Sequence, residues 1–303
     1  MVVPALNEAA HVRSVLQRMP PFVDQIFVVD DQSTDDTAVV AASCGDARVT
    51  VIRHPSRQGV GGAMVTGMRR ALSEGADLIV KVDGDGQMDP EQIAALIEPL
   101  TRDGYDYAKG NRFLHGNALR QMPRPRLFGN FALTFLTKLA SGYWHIFDPQ
   151  NGFLAVRASA LRGIDLDSVA HGFFFENDML IRLNILNCRV KDVAIPALYG
   201  SEESSLRIRR VLVTFPTLLL RGLCMRIWEK YMLRDFSAIA VFWLVGIPLI
   251  VFGGTFGAWH WAQSWWTGHP ASTGTVMLSV LPFLIGFELI LQAIILEIRE
   301  SPR

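Results

Sequence analysis

The chain has 303 residues, 50% of them hydrophobic, and its 29 Lys and Arg side chains balance its 29 Asp and Glu side chains. The length allows one large α/β domain and a smaller unit, and the balanced charge gives no basic footprint for a nucleic-acid partner, so none is expected. Cys44, Cys188 and Cys224 are widely spaced without a CxxC pair, which argues against a disulfide framework and a zinc site.

The N-terminus offers a short first strand. Val2 and Val3 directly precede Pro4, which leaves open whether this strand is abbreviated or the sequence begins late. Asn7 is placed to cap the first helix. We expect no signal peptide, because no basic region followed by an apolar one begins the sequence.

Short apolar runs alternate with amphipathic segments in the first hundred residues. The runs occupy residues 26–29, 49–52 and 78–82, and the helical patterns occupy residues 8–19, 33–43 and 61–73. This alternation predicts βαβ units and a mostly parallel, Rossmann-like α/β sheet.

Acidic side chains gather at the ends of two predicted strands. Asp30 and Asp31 follow the run at 26–29, and Asp83 follows the run at 78–82. Ligands of open α/β sheets bind outside the carboxyl ends of the strands. This edge is therefore the predicted ligand site.

Residues 83–87 supply oxygen ligands only. Asp83 and Asp85 share a face if the strand extends to them, and two neighbouring carboxylates repel each other unless a cation lies between them. With Gln87 they form a set that suits Mg²⁺ or Mn²⁺ and leaves positions open for diphosphate oxygens. A turn with ordinary solvated carboxylates is the alternative that this segment leaves open.

The glycines at 59–62 have two interpretations. Their flexibility suits a phosphate-binding loop, but the Lys-Ser/Thr of a P-loop and the full GxGxxG spacing are missing. A closely packed helix start is the favoured interpretation.

The middle of the chain carries helical segments of mixed character. Residues 111–147 begin with a loop containing Pro123 and Pro125 and continue as a hydrophobic helical stretch. Residues 205–235 combine basic and apolar side chains, which predicts helices in the membrane interface. Solvated helices that connect two domains are the alternative.

Two apolar segments near the C-terminus predict transmembrane helices. Residues 238–259 contain no charged side chain, and residues 276–296 contain only Glu288. Each has roughly the 20 residues that a helix needs to cross the hydrocarbon layer, although a pair of buried core helices has the same length.

The loop charges predict an orientation for these segments. Seven Lys and Arg side chains lie between residues 207 and 234, whereas residues 263–275 contain none. The positive-inside rule therefore predicts an integral membrane protein with residues 1–237 and both termini in the cytoplasm.

Four motifs occur in the order and approximate spacing of a known enzyme family. They are Pro4-Ala5-x-Asn7-Glu8, Asp30-Asp31-x-Ser33-x-Asp35, Gly59-x-Gly61-Gly62-Ala63 and Asp83-Gly84-Asp85-Gly86-Gln87. In these motifs the chain resembles glycosyltransferase family 2, which has a GT-A fold. Further segments are similar to the polyprenyl-phosphate branch of that family, which includes dolichol-phosphate mannose synthases: Asn111-Arg112-Phe113, Asp148-Pro149-x-Asn151-Gly152-Phe153 and Phe175-Glu176-Asn177-Asp178. The resemblance covers most of residues 2–206.

The resemblance implies a nucleotide-sugar site at the sheet edge. The residues around the base, the ribose and the sugar nucleotide would be Pro4, Asn7, Glu8, Asp31, Asp35 and Gly61. Asp83, Asp85 and Gln87 would hold the Mg²⁺ or Mn²⁺ ion and the diphosphate of a UDP- or GDP-linked sugar.

The resemblance also implies a lipid monophosphate as the acceptor. The arginines that would bind its phosphate are Arg112, Arg124, Arg126, Arg207 and Arg210. Asp148 and Glu176 match acidic positions near the acceptor and would orient the sugar hydroxyls or the attacking group. Asp85, Arg112, Asp148 and Glu176 are the predicted catalytic residues.

The implied activity is metal-dependent, inverting transfer of one hexose-type sugar from a nucleotide-diphosphate sugar to polyprenyl (undecaprenyl or dolichyl) phosphate at the cytoplasmic membrane face. The expected organisation is a GT-A catalytic domain at 1–204, interfacial helices at 205–235 and a membrane domain at 236–303 with spans near 238–259 and 276–296. The expected partners are the nucleotide sugar, the lipid and the membrane, and a homo-oligomer stays open.

Departures from the family pattern leave alternatives open. Leu154 stands where dolichol-phosphate mannose synthases commonly carry Arg, and the segment from Tyr199 differs from theirs. Another lipid or a polysaccharide precursor is therefore an alternative acceptor, and a non-catalytic nucleotide-sugar-binding membrane subunit is the alternative from a different class. The sequence lacks the Gln-x-x-Arg-Trp motif of processive family members, which favours transfer of a single sugar.

Overall fold

The computed structural model describes residues 1–113, 124–196 and 208–302, with the backbone only at residues 124–128, 130 and 208–213. Met1–Leu223 form the larger of two compact units, and Cys224–Ser301 form the smaller one.

A single sheet organises the larger unit within the described residues. Its strands are β1 (Val2–Ala5), β2 (Ile26–Asp30), β3 (Val49–Arg53), β4 (Leu78–Lys81), β5 (Tyr107–Asn111), β6 (Leu154–Arg157) and β7 (Val190–Ala194). They lie in the order β3-β2-β1-β4-β6-β5-β7, and β6 runs antiparallel to both of its neighbours while the other pairs are parallel. The predicted mostly parallel α/β sheet is confirmed, and its parallel strands end at one edge.

Helices connect the strands of the sheet, and one more helix follows the last strand. They are α1 (Val12–Gln17), α2 (Thr37–Ala42), α3 (Gly59–Ser73), α4 (Ile93–Arg102), α5 (Arg124–Ser141), α6 (Ala158–Arg162), α7 (Phe175–Ile185) and α8 (Ile208–Arg226). Phe27 and Val29 of β2 belong to one buried apolar cluster, and Val28 belongs to another. Since successive side chains of a strand point to opposite faces, the sheet is buried on both sides, which explains its continuous apolar runs.

The first helix begins later than its sequence pattern predicts. α1 begins at Val12 rather than at residue 8, and Asn7 does not cap it. Asn7 has a φ of 59°, and its Oδ1 accepts hydrogen bonds from Thr34 N at 2.8 Å and Thr34 Oγ1 at 3.2 Å. The predicted capping role is wrong because this tertiary contact engages the side chain.

The helical segment after β4 begins with a side-chain cap. Asp89 precedes the short 3₁₀ turn Pro90–Gln92, and its Oδ1 accepts a hydrogen bond from Glu91 N at 3.3 Å. Asp as the cap followed by Pro at the first position is the pattern expected there.

The smaller unit contains two long apolar helices. After a π-helical segment, Ile227–Arg234, come α9 (Ala238–Thr267) and α10 (Thr273–Glu300). With 30 and 28 residues, each is long and apolar enough to cross a membrane. Both extend beyond the apolar segments recognised in the sequence, and at 1.5 Å per residue each exceeds the roughly 30 Å of the hydrocarbon layer.

Candidate active site

Two segments meet at the carboxyl edge of the sheet, residues 7–9 after β1 and residues 33–37 after β2. Their hydrogen bonds run from Asn7 N to Ser33 Oγ (2.9 Å), from Glu8 N to Thr37 Oγ1 (2.8 Å) and from Ala9 N to Asp35 Oδ2 (3.1 Å). Pro4 is buried at the end of β1, while Asn7 and Asp35 are exposed. Three residues expected around the base and ribose, Asn7, Glu8 and Asp35, are therefore brought together, and Pro4 lies in the strand that leads to them.

Asp31 is buried behind this edge, with 3% of its surface exposed. Its Oδ1 lies 2.8 Å from His54 Nδ1 and accepts a hydrogen bond from Gln58 N at 2.7 Å, and its Oδ2 accepts one from Gly59 N at 2.7 Å. Burial raises the pKa of Asp31, but these hydrogen bonds outweigh it and hold the pKa below its ordinary value. Asp31 thus fixes the start of α3, and its contact with a nucleotide stays a prediction.

The glycine motif packs closely against another segment. A Cβ on Gly61 would lie 2.2 Å from the carbonyl oxygen of Ala170, and one on Gly59, which has a φ of 85°, would lie 2.7 Å from that of His171. Gly62 N donates a hydrogen bond to the same His171 oxygen at 3.1 Å. These contacts agree with the closely packed helix start favoured from the sequence, and a nucleotide contact by Gly61 stays a prediction.

The Asp83 loop, residues 82–89, follows β4. Main-chain hydrogen bonds to β1 continue as far as Gly84, and a turn then carries Asp85, whose Oδ1 accepts a hydrogen bond from Gln87 N at 2.9 Å. Asp83 and Asp85 are partly exposed and Gln87 is exposed. Since β4 itself ends at residue 81, the turn, and not a shared strand face, sets the positions of the two carboxylates.

Lys81, the last residue of β4, is a functional candidate that the sequence motifs did not indicate. Its side chain is 2% exposed, and its Nζ lies 3.0 Å from Asp83 Oδ1 and 3.0 Å from Glu176 Oε1. Burial lowers the pKa of Lys81, but attraction to the two carboxylates outweighs it, so the pKa lies above its ordinary value. The available sequence signal is a lone Lys in the apolar run 78–82, because a lysine buried in a strand requires charged partners.

Arg112 follows β5 and binds Asp148. Its Nε donates to Asp148 Oδ2 at 2.9 Å and its Nη2 donates to Oδ1 at 3.1 Å. The Asp148 side chain is 2% exposed, whereas that of Arg112 is 44% exposed. Two predicted catalytic residues are thus in direct contact, in the bidentate geometry with which Arg binds carboxylates and phosphates.

The Asp148 turn, residues 148–153, connects this pair with the Asp83 loop. A Cβ on Gly152 would lie 2.4 Å from Lys81 Nζ and 3.1 Å from Asp83 Oδ2, so a larger residue there would displace the ammonium group from its position. The turn therefore contacts Arg112 at its beginning and closely approaches Asp83 at its end.

The donors of the Asp83 loop suit a divalent cation. Asp83 and Asp85 supply carboxylates, and Gln87 supplies an amide oxygen. In the part of the chain that the structure describes, no group of three or more His, Cys, Asp and Glu side chains is placed to hold a metal. Mg²⁺ that binds with a substrate phosphate commonly takes one or two protein carboxylates and completes its shell with phosphate and water oxygens, so these donors fit.

The other predicted phosphate-binding arginines carry no described side-chain geometry. Arg124 and Arg126 begin α5 and Arg210 lies in α8, but their side chains are outside the described residues. Arg207 is outside them entirely.

Comparisons with known proteins relate the chain to sugar transferases. The protein-family model that matches residues 1–164 is described as glycosyl transferase family 2. The UDP-N-acetylglucosamine–dolichyl-phosphate N-acetylglucosaminyltransferase of Methanococcus voltae is 30% identical over 71% of this chain and 91% of the relative. The undecaprenyl-phosphate mannosyltransferase of Micrococcus luteus is 32% identical over 64% of this chain and 81% of the relative.

A solved structure shares the fold. Glucosyl-3-phosphoglycerate synthase from Mycobacterium tuberculosis, in complex with Mn²⁺, UDP-glucose and phosphoglyceric acid, matches with a TM-score of 0.54 at 23% identity and covers 74% of this chain and 78% of that chain. The predicted GT-A-like α/β fold class is thereby confirmed.

Proposed function

This chain belongs to glycosyl transferase family 2, in its polyprenyl-phosphate branch, and from that premise we propose its reaction. It transfers one hexose-type sugar from a nucleotide-diphosphate sugar to a polyprenyl phosphate, with inversion at the anomeric carbon and with Mg²⁺ or Mn²⁺. The observation that carries the proposal is the Asp148 turn, which binds Arg112 and closely approaches Asp83. A group suited to a cation and a group suited to a phosphate are thus close to one another at the sheet edge.

The donor nucleotide would bind over the joined segments 7–9 and 33–37. Asn7, Glu8 and Asp35 would contact the base and ribose, and the hydrogen bonds between the two segments fix their positions. Asp31 would contribute by holding the start of α3. Pro4 and Gly61 would shape the floor of this region.

The diphosphate of the donor would lie at the Asp83 loop. Asp83, Asp85 and Gln87 would hold the divalent cation, which when bound neutralises the negative charge of the leaving nucleotide diphosphate. The partial exposure of both carboxylates leaves them accessible to such a ligand.

The acceptor phosphate would bind at Arg112. Asp148 holds the guanidinium by two hydrogen bonds, and the exposed part of Arg112 suits planar contact with phosphate oxygens. Asp148 and Glu176 would orient the attacking group or the sugar hydroxyls. The other arginines proposed to contact the phosphate are Arg124, Arg126, Arg207 and Arg210.

The chemical step needs alignment more than a strong base. A phosphate monoester is already anionic near pH 7, so one of its oxygens can attack without losing a proton first. The new bond forms between that oxygen and the anomeric carbon while the bond to the nucleotide diphosphate breaks. Attack from the face opposite the leaving group inverts the anomeric centre. Orientation of the two reactants and electrostatic stabilisation by fixed charges supply most of the acceleration.

The membrane-spanning length of α9 and α10 supports action at the bilayer. A polyprenyl tail stays in the hydrocarbon layer, so the enzyme that modifies its phosphate must work at headgroup level. We place the catalytic domain, residues 1–204, on the cytoplasmic side, with interfacial helices at 205–235 and the membrane domain at 236–303.

The proposal is tested with the purified full-length chain, Mg²⁺ or Mn²⁺ and a panel of radiolabelled UDP- and GDP-sugars, with polyprenyl phosphate as the acceptor and diacylglycerol in a parallel reaction. We expect one labelled lipid product, identified by mass analysis, and a loss of turnover of about a hundredfold in Asp85→Asn, since one of two cation-binding carboxylates is neutralised. Asp167→Asn is the matched control because that carboxylate is 84% exposed on the surface.

Three contrary results would overturn different parts of the proposed function. Product formed with diacylglycerol but not with polyprenyl phosphate would replace the acceptor class. Unchanged turnover and cation dependence in Asp85→Asn would reject the role of that carboxylate. Binding of nucleotide sugar without transfer to any lipid would reject enzyme activity in favour of a non-catalytic membrane subunit.

A further inference from the structure

A buried ammonium group occupies the space between two carboxylates of the proposed site. Lys81 Nζ lies 3.0 Å from Asp83 Oδ1 and 3.0 Å from Glu176 Oε1. The side chains of Lys81 and Glu176 are 2% and 9% exposed, so the contact is shielded from water. Charges removed from water in this way are tolerated only when they are paired.

The surrounding chain is shaped to admit this ammonium group. Gly152 approaches so closely that a Cβ there would lie 2.4 Å from Lys81 Nζ. Glu176 lies in the first turn of α7, 95 residues away in sequence, and reaches the same nitrogen. Two separate elements, the Asp148 turn and α7, therefore converge on Lys81 at the end of β4.

The positive charge of Lys81 affects where a divalent cation can bind. Two carboxylates that both lie 3.0 Å from one nitrogen atom would need only small movements to converge on a metal ion, which Mg²⁺ binds at about 2.1 Å. A fixed positive charge in that space repels such an ion. Because Asp83 Oδ1 faces Lys81, the second carboxylate oxygen, Oδ2, is the one left to bind the divalent cation.

Building on the proposed function, we propose that Lys81 is a positioning residue that keeps Asp83 and Glu176 in two different binding roles. Its ammonium group holds one oxygen of each carboxylate and keeps the divalent cation out of the space between them. Asp83 then serves the cation together with Asp85, and Glu176 is reserved for the acceptor side.

The experiment measures Mn²⁺ binding directly, by electron paramagnetic resonance of the full-length chain with UDP as the nucleotide probe. In Lys81→Met we expect Mn²⁺ to bind about tenfold more tightly, because a repelling charge is lost and two carboxylates become available. Turnover falls by about thirtyfold or more, because the cation is then held in the wrong place. This opposition between binding and turnover is not what a purely structural defect produces.

Two further variants make the outcome specific. Lys81→Met combined with Glu176→Gln removes both the ammonium group and the Glu176 carboxylate. Mn²⁺ affinity is therefore expected to return to within about threefold of wild type while turnover stays low. Lys191→Met, an exposed lysine on β7, is the control for loss of a positive charge and should change neither quantity.

Glu176→Gln alone covers the case in which Lys81→Met does not fold. It keeps the ammonium group beside Asp83 and should leave Mn²⁺ affinity within about threefold of wild type. A loss of about tenfold would mean that Glu176 binds the cation and would overturn the proposal. Unchanged or weaker Mn²⁺ binding in Lys81→Met would overturn it as well.

These readouts separate the two proposals. Mn²⁺ binding with UDP needs no acceptor, so failure of the wild-type chain to glycosylate any lipid counts against the proposed function alone. Normal turnover in Lys81→Met counts against the role of Lys81 alone.

Discussion

Two buried lysines at the site are stabilised in different ways. Lys81 lies between Asp83 and Glu176, whereas Lys109 Nζ donates a hydrogen bond to the carbonyl oxygen of Pro149 at 2.6 Å. Burial lowers the pKa of Lys109 to about 8, and its charged neighbours shift it less: Asp148, Glu176 and Asp192 upward and Arg112 downward. Lys109 therefore supports the Asp148 turn at a cost in stability that depends on pH.

That cost predicts how Lys109→Met changes thermal stability with pH. Between the folded pKa of about 8 and the ordinary value of 10.5, the unfolded chain binds more protons at this lysine, so its penalty on folding is relieved as pH rises. The Tm of wild type relative to Lys109→Met should therefore increase from pH 7.5 to pH 10, by the equivalent of about 3 kcal/mol at most. Scanning fluorimetry of the full-length chain checks this.

A comparison with an exposed lysine isolates the effect of burial. Lys191→Met should show a Tm difference from wild type that stays constant over the same pH range. A constant difference for Lys109→Met would mean that Lys109 titrates normally in the folded protein.

Close glycine contacts join the two apolar helices. A Cβ on Gly253 of α9 would lie 2.6 Å from Ser279 O and 2.7 Å from Phe283 N of α10. Without a water-driven hydrophobic effect between helices in lipid, such small residues let backbones approach and gain packing. The α9–α10 pair thus depends on particular glycines and not on apolar composition alone.

Adjacent glycines provide a matched test of this packing. Gly253→Ala should separate the helices and lower the stability of the full-length chain by about 1–3 kcal/mol, because the added methyl meets backbone atoms. Gly254→Ala should be tolerated, since a Cβ there meets only ring atoms of Phe283 at 3.9 Å. Tm and resistance to proteolysis are the measurements, and equal losses in both variants would contradict the contact.

Basic and aromatic side chains are distributed unequally along the C-terminal part of the chain. Basic side chains precede α9, whereas the far end of α9 carries four tryptophans that are 70–81% exposed: Trp259, Trp261, Trp265 and Trp266. Trp is enriched at membrane–water interfaces, and Lys and Arg are enriched on the cytoplasmic side. The tryptophans mark an interface without telling its side, whereas the basic side chains before α9 predict that the connection between α9 and α10 lies on the outer side of the membrane.

Cysteine labelling tests this orientation in intact cells. In a chain whose three native cysteines are replaced, Ala271→Cys in the α9–α10 connection should react with a membrane-impermeant maleimide, because the proposed orientation places residue 271 outside the cell. Glu74→Cys, exposed at the end of α3, should react only after the membrane is permeabilised. The reverse pattern would place the catalytic domain on the outer side.

The sequence by itself determined the features that depend on neighbours along the chain. Alternating apolar runs predicted the parallel sheet, long apolar segments predicted the long C-terminal helices, and ordered motifs indicated the family. Each of these signals is local, because strand and helix periodicity and the length of an apolar run are read within one segment.

Only the tertiary structure decided which side chains are partners. Asn7 binds Thr34 and does not cap a helix, and Lys81 meets Glu176 from 95 residues away. The insertion of antiparallel β6 between β4 and β5 brings the Asp148 turn over the sheet edge and beside Asp83. Such contacts depend on strand order and on the packing of distant elements, and no local pattern encodes either.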